Sequence, residues 1–88
     1  SYKWMEDNGI HLPVVELSVK YKAPARYDDV LTVTTTLKKI PTYSIEFTYE
    51  IHNQEGQLLI TGETSLVFVN SITNKLQRAP TYLLEKLV

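Results

Sequence analysis

The fold turns on the run Leu12-Pro13-Val14-Val15-Glu16-Leu17-Ser18-Val19-Lys20-Tyr21-Lys22-Ala23-Pro24-Ala25-Arg26-Tyr27-Asp28-Asp29-Val30-Leu31-Thr32-Val33. Val15, Leu17, Val19 and Tyr21 alternate with Glu16, Ser18, Lys20 and Lys22, the period-two pattern of a strand with one dry face and one wet face. Ala23 to Asp29 breaks the pattern, because Pro24 supplies no N–H and fixes its own φ, so strand pairing stops there. A second strand is predicted from about Val30 to Ile40, rich in the Thr and Val that suit a pleated surface.

Outward from that run the pattern continues. Tyr43, Ile45, Phe47, Tyr49 and Ile51 alternate with Ser44, Glu46, Thr48, Glu50 and His52, the clearest strand in the chain. Asn53-Gln54-Glu55-Gly56 closes a hairpin, with Gly56 able to take positive φ. The last strand, Gln57 to Val69, ends apolar on both faces at Leu66-Val67-Phe68-Val69, which predicts a central strand there. Gly62 within it points to a bulge or a close backbone approach. Ser1 to Asn8 reads as a short helix with Ser1 as cap, Tyr2, Trp4 and Met5 inward, and Asn8-Gly9 as its stop. Pro41-Thr42 and Asn70 to Lys75 are turns, and Thr81 to Leu87 is a second short helix with Pro80 at its first turn. The expected class is α+β: one domain over 1–88, with a four-stranded antiparallel meander sheet between short terminal helices.

The 88 residues carry a formal charge of −1 and no cysteine. Disulfides and thiolate metal sites are thereby excluded, and the distant His11 and His52 have no ligand spacing around them, so no metal site is expected. Near-zero net charge argues against a nucleic-acid partner, which calls for a basic stripe. The longest apolar run, Leu66 to Val69, falls far short of the roughly 20 residues that span a bilayer, so no membrane insertion is expected. The first residues show no signal pattern, and a cytoplasmic location is the expectation. Ser1 in place of an initiator Met suggests a start that has been processed, engineered or lost.

Four long antiparallel strands present a broad face of Val, Leu, Ile, Phe and Tyr that must be covered. Two short terminal helices cannot span it. Either a partner chain covers the face or the covering helix lies outside this sequence, and the latter is favoured. The order and spacing of Leu12-Pro13-Val14-Val15, Tyr21-Lys22-Ala23-Pro24-Ala25-Arg26-Tyr27-Asp28-Asp29, Gly62-Glu63-Thr64 and Arg78-Ala79-Pro80 support that choice. Together they resemble the hotdog-fold acyl-CoA thioesterases of the 4-hydroxybenzoyl-CoA thioesterase type, within that group most of all the small bacterial enzymes associated with the Tol–Pal system. The resemblance implies a sheet wrapped around one long central helix, with that helix and a preceding strand absent from this chain: an incomplete hotdog fold. It also implies that the missing strand sits beside Leu58 to Val69, followed by Tyr43 to His52, Val30 to Ile40, and Val14 to Lys22 at the far edge. Through that last edge strand the family's subunits join, so a homodimer or tetramer is implied.

In such a family acyl-CoA is hydrolysed to free acid and CoA, with CoA as part of the substrate and no further cofactor. The resemblance implies an Asp before the central helix as nucleophile or base, with helix N-terminal N–H groups polarising the thioester carbonyl. No position here matches that motif, so no catalytic residue is assigned and the chain alone is expected to be inactive. Substrate-binding candidates are Lys22, Pro24 and Arg26 at the proline corner and Arg78 before the last helix, whose cations suit CoA phosphates. Val14 and Val15 are candidates for the border of the acyl pocket. Thr81 is a weaker phosphate candidate, helix capping being preferred. Asp28 and Asp29 read as a turn tip, Glu63 as a solvent-facing or cross-strand partner, and His11 and His52 as surface groups. Tyr43, Phe47 and Tyr49 read as core or sheet-face residues, and Trp4 as packing for the first helix onto the sheet, with lining of the acyl pocket as its alternative. The alternative function is a non-catalytic binding or assembly module that uses the apolar face.

Overall fold

The strand that ends apolar on both faces lies inside the sheet. A computed structural model describes residues 2–87, and the capping expected of Ser1 and the inward Tyr2 side chain lie outside what it describes. The elements are α1 (Tyr2–Asp7), β1 (Ile10–His11), β2 (Val14–Tyr21), β3 (Thr32–Leu37), β4 (Ser44–His52), β5 (Leu58–Val67), β6 (Val69–Asn70) and α2 (Thr81–Leu87). The main sheet is four-stranded and antiparallel in the order β2-β5-β4-β3.

That order corrects the expected meander. β2 lies beside β5, while β3 lies beyond β4 at the opposite edge, so the proline corner is a crossover and not a turn to a neighbour. A meander assumes that successive strands pair, which is only the commoner outcome. Here the Thr-rich β3 and the charge-bearing β2 take the edges, and β5 has both ladders filled. The upstream strand expected beside Leu58 to Val69 therefore has no place there. The Val14 to Lys22 strand remains an edge, as expected, but through β5.

Gly62 lets this happen. It stands opposite Val19 of β2 and Tyr49 of β4. A Cβ at that position would meet the Ser18 carbonyl oxygen at 3.3 Å and the Tyr49 ring at 3.8 Å. It is thus the close approach that the sequence offered as one option. The register irregularities fall elsewhere, between Val14 and Glu16 and between Ile51 and His52.

Register assigns the two faces. Leu17, Val19 and Tyr21 share a face with Ile60, Leu66, Ile45, Phe47, Ile51, Val33 and Leu37. The other face carries Glu16, Ser18, Lys20, Thr34, Thr36, Glu46, Thr48, Glu50 and Glu63. The helices reach only one end of the apolar face. There Ile10, Ile45, Phe68 and Ala79 form the buried cluster, joined by Trp4, Met5, Leu12, Leu37, Phe47, Leu66, Leu83 and Leu84. Trp4 stacks on Tyr82 with centroids 4.5 Å apart and planes at 14°, clasping α1 to α2. Trp4 therefore packs the first helix, as read from the sequence.

Local chemistry ends each element. Gly9, at φ 75°, follows α1, and the Asn8 N–H and side-chain Nδ2 both donate to the Trp4 carbonyl. In the hairpin Asn53 Oδ1 accepts from the N–H groups of Glu55 and Gln57, and Gly56 takes φ 79°. Phe68 leaves the ladder between β5 and β6: its N–H donates to Tyr43 and its carbonyl accepts from Gln77. The last strand is therefore shorter than expected, and β6 pairs with β1 in a two-stranded sheet that the sequence did not announce. The Pro80 carbonyl accepts from Leu83 and Leu84, which makes Pro80 the cap and puts Thr81 inside α2.

Phe68 is fully buried and lies within the cluster that both helices share. Phe68→Ala is expected to lower the unfolding free energy by about 3–5 kcal/mol, read by urea denaturation. Gly62→Ala is expected to cost about 1 kcal/mol or more by crowding the Ser18 carbonyl.

Candidate functional site

The proline corner is built by hydrogen bonds. The N–H groups of Lys22 and Ala23 both donate to the Leu59 carbonyl, at 2.7 and 3.2 Å, which carries the end of β2 onto β5. The chain then turns at 26–29, where the Asp29 N–H donates to the Arg26 carbonyl and the Arg26 N–H returns to Asp29 Oδ2 at 2.6 Å. Gln54, in the β4–β5 hairpin, locks the turn from outside. Its Nε2 donates to Asp29 Oδ1 at 3.1 Å, and its Oε1 accepts from the Val30 N–H at 2.9 Å. Gln54 and Asp29 are 25 residues apart, so no local pattern announces this tie.

Asp29 is held below the ordinary aspartate pKa, first by the Arg26 backbone N–H, then by the Gln54 amide, with a small contribution from the Arg26 charge. It is a structural carboxylate, as the turn-tip reading had it. The Lys22, Pro24 and Arg26 side chains are exposed around it, and the Tyr27 ring is fully exposed. No described residue forms an ion pair with Lys22 or Arg26.

The other three candidates lie at the opposite end of β2. Val14 pairs with Leu66, whereas Tyr21 pairs with Ile60, so Val14 and the corner are separated by about 23 Å of strand. Val14 and Val15 are exposed at 58% and 57%. A hollow of about 450 Å³ is lined by His11, Leu12, Pro13, Val69 and Asn74, and neither valine is among its lining. Arg78, at this same helix-covered end, lies over the Tyr43 ring at 5.1 Å and keeps its exposed guanidinium. Within one chain the structure thus gathers the candidates into two sets and does not bring the sets together.

Between the sets runs the uncovered apolar face. Leu17 is 68% exposed, Tyr21 81% and Val33 59%. Near its middle one polar pair stands out: the Tyr49 hydroxyl and Thr64 Oγ1 lie 2.9 Å apart. The sequence reading missed this pair, although Tyr49 opposite Gly62 leaves the ring room to lean toward Thr64. The remaining groups are accounted for. Glu63 pairs with Lys38 at 3.4 Å on the polar face, and Glu46 pairs with Lys39 at 3.1 Å. His52 lies 3.9 Å from Glu50, and His11 is exposed. Among the described residues no three His, Asp or Glu side chains group to hold a metal, and no helix is long and apolar enough to cross a membrane.

The whole length of the chain is similar to known proteins. Residues 1–87 match the family profile of the Thioesterase-like superfamily, and the chain belongs to that family. It is 36% identical over 67 residues to the acyl-CoA thioester hydrolase YbgC of Escherichia coli, covering 76% of this chain and 50% of YbgC. It is 30% identical over 69 residues to YneP of Bacillus subtilis, covering 78% of this chain and 50% of that protein. Its structure superposes on a DHNA-CoA thioesterase from Staphylococcus aureus with a TM-score of 0.83 and 34% identity, over 99% of this chain and 58% of that one. The chain spans about half the length of the curated relatives it matches. The antiparallel sheet with short helices is a hotdog-type thioesterase architecture.

Asp29 sets a pH dependence for the corner. A carboxyl whose folded pKa is lowered adds stability that is present above its unfolded value and lost as pH falls through the folded one. The Arg26 and Val30 amide resonances are therefore expected to shift only below the ordinary aspartate range. Asp29→Asn is expected to abolish that titration, read by NMR.

Proposed function

We propose that this member of the Thioesterase-like superfamily is the sheet portion of an acyl-CoA thioester hydrolase. Its substrates carry a short or aromatic acyl group, and it is of the 4-hydroxybenzoyl-CoA thioesterase type represented by the small Tol–Pal-associated enzymes. The observation that carries the reading is an apolar sheet face left open beside an unpaired edge strand, in a chain of thioesterase-like sequence from end to end. Such a face suits an acyl group and whatever encloses it. The exposed corner cations suit the phosphates of CoA.

Lys22, Pro24 and Arg26 form the CoA-facing corner, Arg78 supplies a second cation, and Val14 and Val15 border the acyl group. Two copies paired along the β2 edge bring the corner of one near the valines of the other, because antiparallel pairing sets opposite strand ends side by side. Each site is then shared between two subunits. A homodimer, or a tetramer built from it, follows, and the working location is the cytoplasm. The chain's own groups bind and orient substrate and keep water from the acyl group. The attacking carboxylate and the helix that polarises the carbonyl belong to the rest of the protein, and CoA enters only as substrate.

Release of free CoA from a benzoyl-CoA or short acyl-CoA probe is the direct test. The 88-residue chain alone is expected to give no turnover, and the full-length protein is expected to give turnover. In the full-length protein, Arg26→Ala is expected to raise KM by up to about tenfold with little change in kcat, as loss of a phosphate contact predicts. Turnover by the chain alone, abolished by changing Glu63 or Asp29, would show the chemistry to be misassigned.

A further inference from the structure

We infer that Gln54, on the β4–β5 hairpin, is a positioning residue for the proline corner, holding Arg26 where it meets a substrate phosphate. This role presupposes the CoA-binding corner proposed above and adds to it a residue far from the corner in sequence.

The two ends of the corner are secured differently. Lys22 is anchored by main chain: its N–H and that of Ala23 both donate to the carbonyl of Leu59, a fully buried residue. The backbone at Lys22 therefore moves only with β5. Beyond Ala23 that support ends. Pro24, Ala25, Arg26, Tyr27, Asp28 and Val30 are all exposed, so burial of apolar area does not hold the segment against the sheet. The Asp29 N–H to the Arg26 carbonyl, and the Arg26 N–H to Asp29 Oδ2, are bonds internal to the turn. They shape the turn and leave its placement free. Among the described residues, the hydrogen bonds that join residues 24–30 to the rest of the fold both end on Gln54.

The Gln54 amide uses both of its ends. Nε2 donates to Asp29 Oδ1 at 3.1 Å, and Oε1 accepts from the Val30 N–H at 2.9 Å, so one planar group fixes two successive residues. Asp29 Oδ2 takes the Arg26 N–H at 2.6 Å, which completes a chain of bonds from the hairpin to the Arg26 backbone. The hairpin is itself braced. Asn53 Oδ1 accepts from the Glu55 and Gln57 N–H groups, its carbonyl accepts from the Gly56 N–H, and its own N–H donates to the Gln57 carbonyl. A binding group on such a support has less freedom to lose when it engages a ligand. Both Asp29 oxygens are occupied within the chain of bonds, and the Arg26 guanidinium forms no ion pair among the described residues. It stays exposed to an anion.

The polarity of the tie can be reversed without changing net charge. In Gln54→Glu a carboxylate faces Asp29 and the Nε2 donor is lost. In Asp29→Asn, with the side-chain oxygen kept on the Arg26 N–H, an amide nitrogen faces the Gln54 amide nitrogen. With both changes together the introduced amide donates to the introduced carboxylate, which still accepts from the Val30 N–H, and the tie is rebuilt.

In the full-length protein, Gln54→Met, similar in length but able to make neither bond, is expected to raise KM for benzoyl-CoA about three- to tenfold. Its kcat, and its KM for benzoyl-pantetheine, which lacks the CoA phosphates, are expected to stay unchanged. Gln54→Glu and Asp29→Asn alone are each expected to do the same, and the two combined to restore the original KM. An unchanged KM in Gln54→Met, where Arg26→Ala does raise it, would overturn the positioning role and leave the CoA-facing corner intact. Failure of the combined variant to restore KM would overturn it too. So would a rise for both substrates alike, or a fall in kcat, which would mark a general structural role. An unchanged KM in Arg26→Ala would overturn the CoA-facing corner and the role of Gln54 with it. CoA affinity of the same variants, measured by calorimetry, needs no turnover. The same order of affinities in a protein that releases no CoA would count against the proposed activity alone.

Discussion

The double pairing of β5 is the constraint on which the rest of the structure depends. With β2 on one flank and β4 on the other, β5 fixes which strands are edges, which residues share a face, and where the chain must cross. It brings the Ser18 carbonyl and the Tyr49 ring close to position 62, where Gly62 leaves them room that a Cβ would crowd. Because β5 is interior, the chain leaving β2 must pass the ends of two strands to reach β3. That passage is the proline corner, and Gln54 on the β4–β5 hairpin is where it is pinned. The corner that carries Lys22, Pro24 and Arg26 is thus a consequence of strand order.

The same order leaves the apolar face half covered. The α1–α2 clasp buries Ile45 and Phe68 at one end, and the face beyond stays open through Leu17, Tyr21 and Val33. The Cα radius of gyration, 16.0 Å, exceeds the roughly 12 Å of a compact domain of this length. Surface of this kind is a binding resource. The unpaired edge of β2 lies along it.

Much of this was legible in the residues, and the limits have physical reasons. Alternation gave β4, β2 and the polarity of each face, because period two is a local property of side chains on a strand. Asn8-Gly9, Asn53 to Gly56 and Pro80 marked boundaries through backbone chemistry, which is equally local. Strand order was not local. The doubly apolar Leu66-Val67 correctly indicated an interior strand, but two arrangements satisfy that signal, and sequence adjacency favoured the wrong one. The Gln54–Asp29 tie and the Tyr49–Thr64 pair were invisible because each joins residues distant in sequence that only the fold brings together. The candidate site residues were proposed as types, cations and small apolar groups. Their division between the two ends of β2 followed only from register.

The central claim is that the outer edge of β2 is an interface, and amide hydrogen exchange of the chain in solution measures it most directly. The account predicts that the Leu17, Val19 and Tyr21 amides, which point away from β5, exchange slowly at high protein concentration and faster on dilution. The amides on the outer side of β3 should exchange fast at every concentration. Rapid exchange at Leu17, Val19 and Tyr21 regardless of concentration, with β4 and β5 protected, would contradict it.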